Sequence, residues 1–382
     1  MRVAIASLGR FHVLDLAREL GGLGAETRFY SYVRRSRAKQ FGLAPTFHRG
    51  LLPFVAPLII WQNYGGAFLP NFQERTIAYA LNAAVIARLE PCDFFICMSG
   101  IYLEAAHYAR RRFGAQIWLE RGSRHIISQR NILRDLCVPR IPSDFIVNRE
   151  LAGYEMADRI VVPSGQVVDS FVSQDYTLAS KLFRNPYGVD LGQFPLRADL
   201  PPSKPATVLF VGGWSRRKGV DVLTKAIHRL KGVRLLHVGS LVDEAFPFND
   251  PQFEHVDPVP QWKLQDYYRE AHVFALASRE EGLALVQAQA LASGLPVVCT
   301  SMTGGIDLGL SKSLRERVHV VEPNDVSGFA DGLSRALKVA RDSKGSESLS
   351  DEDRELLSWR AYGRRYFDEL SKSHSKADAS YM

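Results

Sequence analysis

The sequence contains little cysteine and has no leader-like start. Only four of its 382 residues are cysteine, and Cys92, Cys97, Cys137 and Cys299 show neither metal-binding nor redox spacing. Three of them lie in or beside apolar runs, which favours reduced core residues. The first residues, MRVAIASLGRF, form a strand pattern without the charged and apolar regions of a secretion signal. We therefore expect a cytoplasmic protein.

Long apolar runs are also missing. The apolar run Leu51–Trp61 is eleven residues long and contains Pro53 and Pro57. A spanning helix needs about 20 apolar residues, so this run is too short to cross a bilayer.

Length and charge indicate two domains with different surfaces. A chain of 382 residues with 46% hydrophobic residues exceeds one ordinary core. Residues 1–200 carry 24 Lys and Arg against 17 Asp and Glu, whereas the remaining 182 carry 24 of each. The basic half is compatible with nucleic acid, an anionic membrane or an acidic acceptor. Because no nucleic-acid-binding motif accompanies the charge, we expect no nucleic acid partner.

Apolar periodicity predicts an α/β protein with parallel, doubly wound sheets. Strand-like and helix-like segments alternate, and a proline-rich stretch, residues 195–205, separates two such series. We place the domains at 1–195 and 196–355, followed by a helix and a disordered tail over 356–382. The predicted elements of the first domain are Arg2–Ser7, Val13–Leu20, Thr27–Tyr32, Phe94–Met98, Tyr102–Arg112, Gln116–Leu119 and Arg159–Val162.

The most informative segment runs from His272 to Val298 and reads HVFALASREEGLALVQAQALASGLPVV. It predicts a buried strand, a turn at Glu280-Glu281-Gly282, and a helix ended by Gly294. This order places a carboxylate and free backbone N–H groups at one helix start, which suits a ligand bearing both hydroxyls and phosphate.

This segment resembles the nucleotide-sugar signature of family 4 glycosyltransferases, which have the GT-B fold. That fold has two Rossmann-like domains facing across a cleft and a C-terminal helix that crosses back to the first domain. Other landmarks follow in the family's order: Val208–Gly212 with Lys218 and Gly219, Leu235–Gly239, Tyr267 and Tyr268, Asp158–Ser164, and Asn185–Asp190.

The resemblance implies a retaining transferase that moves a sugar from a UDP- or GDP-sugar to an acceptor hydroxyl. The acceptor is expected to be a glycan or a lipid-linked molecule in surface polysaccharide or glycolipid synthesis. The first domain should bind the acceptor and the second the donor, without a cofactor. A triplet with metal-binding form, Asp351-Glu352-Asp353, lies far from the donor signature, so we expect no metal there.

The loop after Val208–Gly212 is predicted to hold the donor diphosphate. Departing diphosphate gains negative charge, which cations and a helix start stabilise. By resemblance Lys218 is the diphosphate lysine, whereas the family's arginine after the first glycine is replaced by Gly213. Arg216 or Arg217 is a candidate substitute; the alternative is a solvated basic turn.

The family's two glutamates, eight residues apart, correspond here to Glu281 and Gln289. The first lies near the transferred sugar and the second binds the ribose hydroxyls. A glutamine still forms hydrogen bonds but lacks the charge that strengthens them. Gly239, Gly282 and Leu283 complete the expected donor site. Glu281 could instead serve as a helix-cap carboxylate.

In the first domain, the expected acceptor residues are Gly9, Arg10 and His12 after the first strand and Arg121 after the strand Gln116–Leu119. His125 is the candidate for the donor-facing histidine of relatives. The loop and helix-start alternative remains open for Arg10 and His12.

Two further alternatives remain open. The first is a non-catalytic subunit that binds a sugar nucleotide or a partner, and it is favoured by Gln289, Gly213 and the late position of His125. An enzyme is favoured by Lys218 and Glu281. The basic cluster Arg34, Arg35, Arg37 and Lys39 near Leu51–Trp61 suggests loose attachment to the inner face of an anionic membrane. A solvated helix face followed by ordinary core is the other interpretation of that region.

Overall fold

The computed structural model describes residues 1–54, 56, 70–197, 205–342 and 349–380. Most of the apolar run Leu51–Trp61 and most of the proline-rich stretch after residue 197 lie outside these residues. The described chain forms two sheets in sequence, one on each side of the proline-rich stretch.

The first sheet has the strand order β3-β2-β1-β4-β5-β6-β7, and its described pairings are parallel. This order, with β1 at the point where the chain reverses direction across the sheet, is that of a doubly wound domain. Its strands are β1 (Arg2–Ser7), β2 (Glu26–Ser31), β3 (His48–Gly50), β4 (Phe94–Met98), β5 (Gln116–Glu120), β6 (Arg159–Val162) and β7 (Leu182–Arg184).

Helices connect these strands and cover the sheet. The central strands are almost completely buried, which explains their continuous apolar sequence. The helices are α1 (Phe11–Gly22), α2 (Arg35–Gln40), α3 (Pro70–Ile86), α4 (Leu103–Phe113), α5 (Ile126–Asp135), α6 (Asp144–Met156) and α7 (Gly165–Val172).

The second sheet has the order β10-β9-β8-β11-β12-β13 and is also parallel in its described pairings. Its strands are β8 (Ala206–Val211), β9 (Val233–Val238), β10 (Phe253–Val256), β11 (Val273–Leu276), β12 (Val297–Thr300) and β13 (Val318–Val321). Its helices are α8 (Val220–His228), α9 (Leu264–Glu270), α10 (Leu285–Ala292), α11 (Lys312–Glu316) and α12 (Val326–Asp342).

The chain ends with α13 (Asp351–Leu356) and α14 (Trp359–Ser380). Helix α14 crosses back to the first domain, where the hydroxyl of Tyr366 donates to Glu120 and Arg365 donates to Asn185. Tyr362 and Tyr366 of this helix are fully buried. The predicted disordered tail is wrong through Ser380, because the helix continues to that residue.

The acidic triplet at Asp351 forms the first turn of α13 and is capped by Ser350, whose hydroxyl accepts from the Asp353 N–H. Over the described ranges, no group of three or more His, Cys, Asp or Glu has a metal-binding arrangement. None of the helices in the described part of the chain is long and apolar enough to span a membrane.

Candidate active site

The two domains enclose a cleft at the carboxyl ends of their strands. A cavity of about 620 Å³ contains residues that follow β1 and β5 on one side and β8 on the other. This is the edge at which parallel α/β sheets bind ligands. We call this cavity the donor chamber; the predicted residues lining it are Arg10, His12, Gly212, Gly213, Lys218, Glu281, Leu283 and Gln289.

The loop from Gly212 to Gly219 is held in one conformation by close backbone packing. Gly219 has φ +66°, and a Cβ there would lie 2.0 Å from the carbonyl oxygen of Ala277. Buried Trp214 anchors the middle of the loop through a 3.2 Å hydrogen bond from its ring N–H to the Ala245 carbonyl. The loop therefore presents Lys218 to the cleft directly before α8 begins.

A buried histidine supports the first glycine of this loop. His237 Nε2 lies 2.8 Å from the carbonyl oxygen of Gly212, and its Nδ1 lies 2.9 Å from Nδ1 of His255. Burial lowers the pKa of His237 to about 4. A neutral His237 therefore donates from Nε2 to Gly212 and accepts at Nδ1 from His255.

Glu281 is paired with two cations in the cleft. Its carboxylate contacts the ammonium group of Lys218 and lies 3.1 Å from a guanidinium nitrogen of Arg217. Burial alone would raise the pKa of Glu281, but the charges of Lys218 and Arg217 lower it. The cluster Lys218, Arg217 and Glu281 thus places two positive charges beside one carboxylate in the cleft.

This ion cluster separates the donor chamber from a second cavity of about 700 Å³. Both cavities are lined by Gly122, Gly213, Lys218 and Glu281, so these residues form a wall that the two cavities share. The additional polar residues of the second cavity are Ser123, Gln129, Arg140, Ser215, Arg217, Asp243 and Glu280.

Gln289 lies deep in the donor chamber. Its side chain is buried, and its oxygen accepts a hydrogen bond of 3.0 Å from the hydroxyl of Tyr268. Gln289 follows Glu281 by eight residues, and both line the donor chamber, as the spacing of the signature predicted.

Gly282 brings the two domains into backbone contact. A Cβ at this position would lie 1.9 Å from the carbonyl oxygen of Gly122 in the first domain. The Gly282 carbonyl accepts from the hydroxyl of Ser164 at 2.7 Å, and the side chain of Gln166 donates to the Glu281 carbonyl at 2.6 Å. The turn that carries Glu281 is therefore fixed by the opposite domain.

The loop after β1 has an unusual backbone. Phe11 has φ +34°, a conformation that suits glycine, yet its side chain is 53% exposed and lines the donor chamber. Neighbouring Arg10 donates to Gln261 of the second domain at 2.5 Å and stacks on Phe41, 3.7 Å from the ring centre. The loop after β1 thus has an aromatic residue at a backbone conformation that usually favours glycine.

His12 lines the donor chamber but has a buried partner. Its Nε2 lies 2.8 Å from Glu120, which also accepts from the hydroxyl of Tyr366 at 2.7 Å. The imidazole ring packs against Tyr187 with 4.3 Å between ring centres. His12 is therefore oriented by a carboxylate, and its Nε2 is already occupied.

The prediction that His125 faces the donor is wrong in this structure. Its ring is buried between Tyr154 and Phe171 and lines neither cavity. His125 Nδ1 accepts from the N–H of Ile127 at the start of α5, and burial lowers its pKa to about 4. His125 lies several residues after the end of β5 at Glu120, and at that position it caps the start of α5.

Three other predicted positions also serve the scaffold. Arg121 is buried, forms a 2.9 Å ion pair with Glu150 and lines neither cavity. Arg216 points out of the cleft and pairs with Glu244 at 2.9 Å, which leaves Arg217 as the loop arginine in the site. Gly239 permits close packing, since a Cβ there would lie 2.0 Å from the Gly212 carbonyl oxygen.

Sequence reasoning missed Glu120, Ser164 and Tyr187 as site residues. Glu120 and Ser164 follow or end buried strands at the ligand-binding edge of the sheet, which is the signal that could have identified them. Tyr187 lies within a recognised family landmark, Asn185–Asp190, but its ring contact with His12 depends on tertiary packing.

Residues 205–339 match the family described as glycosyl transferases group 1. They form a group 1 glycosyltransferase domain. The resemblance to family 4 glycosyltransferases is thereby confirmed, and the match covers the whole predicted donor signature.

Curated relatives include glycosyltransferases of different specificity. A D-inositol 3-phosphate glycosyltransferase of Mycobacteroides abscessus is 28% identical over 250 residues, covering 59% of this chain and 53% of the relative. A GDP-mannose-dependent alpha-mannosyltransferase of Mycobacterium tuberculosis is 29% identical over 169 residues, covering 41% and 42%. The chain spans about half the length of the curated relatives that it matches first.

Solved structures share the fold over nearly the entire chain. Sucrose-phosphate synthase from Thermosynechococcus elongatus aligns over 100% of both chains with a TM-score of 0.70 and 18% identity. Anabaena HepE, solved in complex with UDP-glucose, aligns over 97% of this chain and 100% of its own with a TM-score of 0.64 and 12% identity. The predicted GT-B fold of this group 1 glycosyltransferase domain and its partner domain is therefore confirmed.

Proposed function

We propose that this protein is a retaining, metal-independent glycosyltransferase that uses a UDP- or GDP-sugar. The observation that carries the proposal is the cluster of Lys218, Arg217 and Glu281 at the interdomain cleft, beside the start of α8. Anabaena HepE supports a sugar nucleotide, since that protein was solved with UDP-glucose.

In the proposed reaction, the bond between the sugar's anomeric carbon and the diphosphate oxygen breaks while the acceptor oxygen bonds to that carbon. The acceptor's proton passes to the leaving diphosphate on the same face of the sugar. Lys218 and Arg217 give up part of their contact with Glu281 and bind the diphosphate instead. The negative charge of the diphosphate increases as the bond breaks, so these cations stabilise the transition state. Glu281 then remains beside the transferred sugar.

The proposed ribose contact is Gln289, and Gly212 and Gly213 allow the diphosphate to approach the backbone. Leu283 and Val286 supply apolar surface in the same chamber. Neutralisation by two cations and a helix start is sufficient for a diphosphate without a metal.

The proposed acceptor is a glycan or a lipid-linked molecule that enters from the first domain near Arg10. We further propose peripheral attachment at the inner membrane face through the basic cluster at the start of and within α2, which consists of the exposed residues Arg34, Arg35, Arg37 and Lys39. Such attachment predicts binding to anionic vesicles but not neutral ones, with loss in high salt.

A non-catalytic sugar-nucleotide-binding subunit is the second candidate, favoured by the neutral Gln289 where relatives have glutamate. A panel of UDP-, GDP- and ADP-sugars separates the two functions. For each sugar, thermal shift reports binding, and nucleotide release with an acceptor extract reports transfer. Release of UDP or GDP supports the enzyme. Binding of a sugar nucleotide without release on any acceptor supports the subunit. The absence of both binding and release contradicts both functions.

A further inference from the structure

A separate cavity of about 780 Å³ lies beside the donor chamber, between α2, the loop after β1 and Trp262 of the second domain. Its size is in the range of small-molecule sites. Arg10, Arg34 and Arg37 line it, and no Asp or Glu is among the described residues of its wall. We call this cavity the basic pocket.

Two of its three arginines have no ion-pair partner among the residues that the structure describes. These are Arg34 and Arg37. Arg10 is 3.8 Å from Asp15. Burial has the largest effect on the pKa of Arg10 and lowers it, the charge of Asp15 raises that pKa, and the positive charges of Arg18 and Arg37 lower it further. Three guanidinium groups therefore line one cavity, and among the described residues only that of Arg10 has a carboxylate partner, Asp15. An anion in the pocket would relieve this repulsion.

The opposite wall is aromatic. Trp262, in a short turn of the second domain, is 51% exposed and lines the pocket. A flat aromatic ring with an exposed apolar face fits the apolar face of a sugar ring. The adjacent Gln261 accepts from Arg10, so the two walls are joined at one point.

Arg10 also connects the basic pocket to the donor chamber, because it lines both. Its guanidinium plane is held by stacking on Phe41. A molecule whose charged group lies at Arg34 and Arg37 could therefore extend past Arg10 and present a hydroxyl to the donor chamber.

We propose that the basic pocket binds the acceptor and selects a sugar that carries a phosphate or carboxylate group. This inference rests on the proposed function. Planar guanidinium groups bind both anions in two-pronged fashion, and the indole ring covers the sugar. The phosphate can belong to a soluble sugar phosphate or to a lipid-linked sugar.

The test uses glucose, glucose 6-phosphate and glucuronate as probes in calorimetric titrations of the full chain. Glucose 6-phosphate should bind at least about tenfold more tightly than glucose. The double variant R34A/R37A should lose this preference. The control R35A/K39A removes the same charge from the same segment of the chain outside the pocket, and its affinity for glucose 6-phosphate should stay within about twofold of the wild type. W262A should weaken glucose and glucose 6-phosphate by the same factor.

Vesicle sedimentation distinguishes the two sources of phosphate. Phosphatidylglycerol binding that R34A/R37A alone removes, and that glucose 6-phosphate displaces, supports a lipid-linked acceptor in the pocket. A glucose 6-phosphate preference without vesicle binding supports a soluble one. Equal loss of the glucose 6-phosphate preference in R34A/R37A and R35A/K39A overturns the proposal, since it shows attraction of the anionic sugar by net charge alone. Absence of a preference for either anionic sugar over glucose also overturns it.

A UDP titration keeps this result separate from the proposed function. R34A/R37A should retain the wild-type affinity for UDP or GDP, because neither arginine lines the donor chamber. If the wild type binds no nucleotide but still prefers glucose 6-phosphate, the proposed function fails and the anionic sugar site remains.

Discussion

Tyr268 donates a hydrogen bond of 3.0 Å from its hydroxyl to the side-chain oxygen of Gln289, at the base of the donor chamber. Both side chains are buried, and Tyr268 is the one hydrogen-bonding partner of the Gln289 side chain within the described ranges. The amide is thus held from one side by the scaffold, while its other polar atom is available to the chamber. A neutral residue occupies a position already shaped for a hydrogen-bond acceptor.

Replacing Gln289 with glutamate should tighten nucleotide binding about tenfold. One carboxylate oxygen keeps the Tyr268 bond, and the other accepts from the ribose hydroxyls with the strength of a charged acceptor. Calorimetric titration with UDP and GDP measures the change. Q265E, on α9 outside the chamber, adds the same charge as a control. Unaltered affinity in Q289E would show that the signature is misaligned with the donor.

Replacing Lys218 with alanine should lower turnover at least about a hundredfold, the scale of losing one charge contact in the transition state. The measurement is nucleotide release with the donor identified by the sugar panel. K225A removes an exposed lysine from the following helix, α8, and should leave turnover unchanged. A folded K218A protein with normal turnover contradicts the diphosphate assignment.

The F11G variant should be more stable than the F11A variant, with a free energy of unfolding higher by about 1 kcal/mol. Both changes delete the half-exposed ring, but only glycine removes the left-handed strain at φ +34°. Urea unfolding of F11G and F11A measures the difference. Equal stability of the two variants would mean that the backbone relaxes without cost.

Replacing Gly282 with alanine should lower turnover at least about tenfold while nucleotide affinity changes less than about threefold. The added methyl group has no space against the Gly122 carbonyl, so the domains must separate. Kinetics and small-angle X-ray scattering test this together. Gly22 has nothing within 4 Å of an added Cβ, so G22A is the matched control. Normal turnover and an unchanged scattering profile in G282A would exclude a role for this contact.

Acid should destabilise the protein through His237. Its folded pKa of about 4 is below the ordinary value of 6.5, so the unfolded chain binds the proton more readily. This contribution to stability is complete above pH 6.5 and is lost as the pH falls towards 4. Urea unfolding at pH 7.5, 5.5 and 4.5 should show a steeper loss in the wild type than in H237Q, which keeps a donor for Gly212. Parallel curves would contradict this source of pH dependence.

The local pattern of the sequence was sufficient for much of the fold. Strands β1, β4 and β6 have the predicted bounds, because continuous apolar runs between turn residues leave one way to bury them. The donor signature was equally local, since the eight-residue spacing of Glu281 and Gln289 follows from one turn and one helix.

Tertiary structure decided which nearby candidates enter the cleft. Arg216 and Arg217 are adjacent and chemically identical, yet the short turn between β8 and α8 points one outward and the other towards Glu281. His125 and His12 differ in the same way, because α5 buries one beside Phe171 while α1 brings the other to the chamber. Sequence determines residue type and local shape, but the direction of a side chain depends on partners distant in the chain, such as Glu120 and Tyr366.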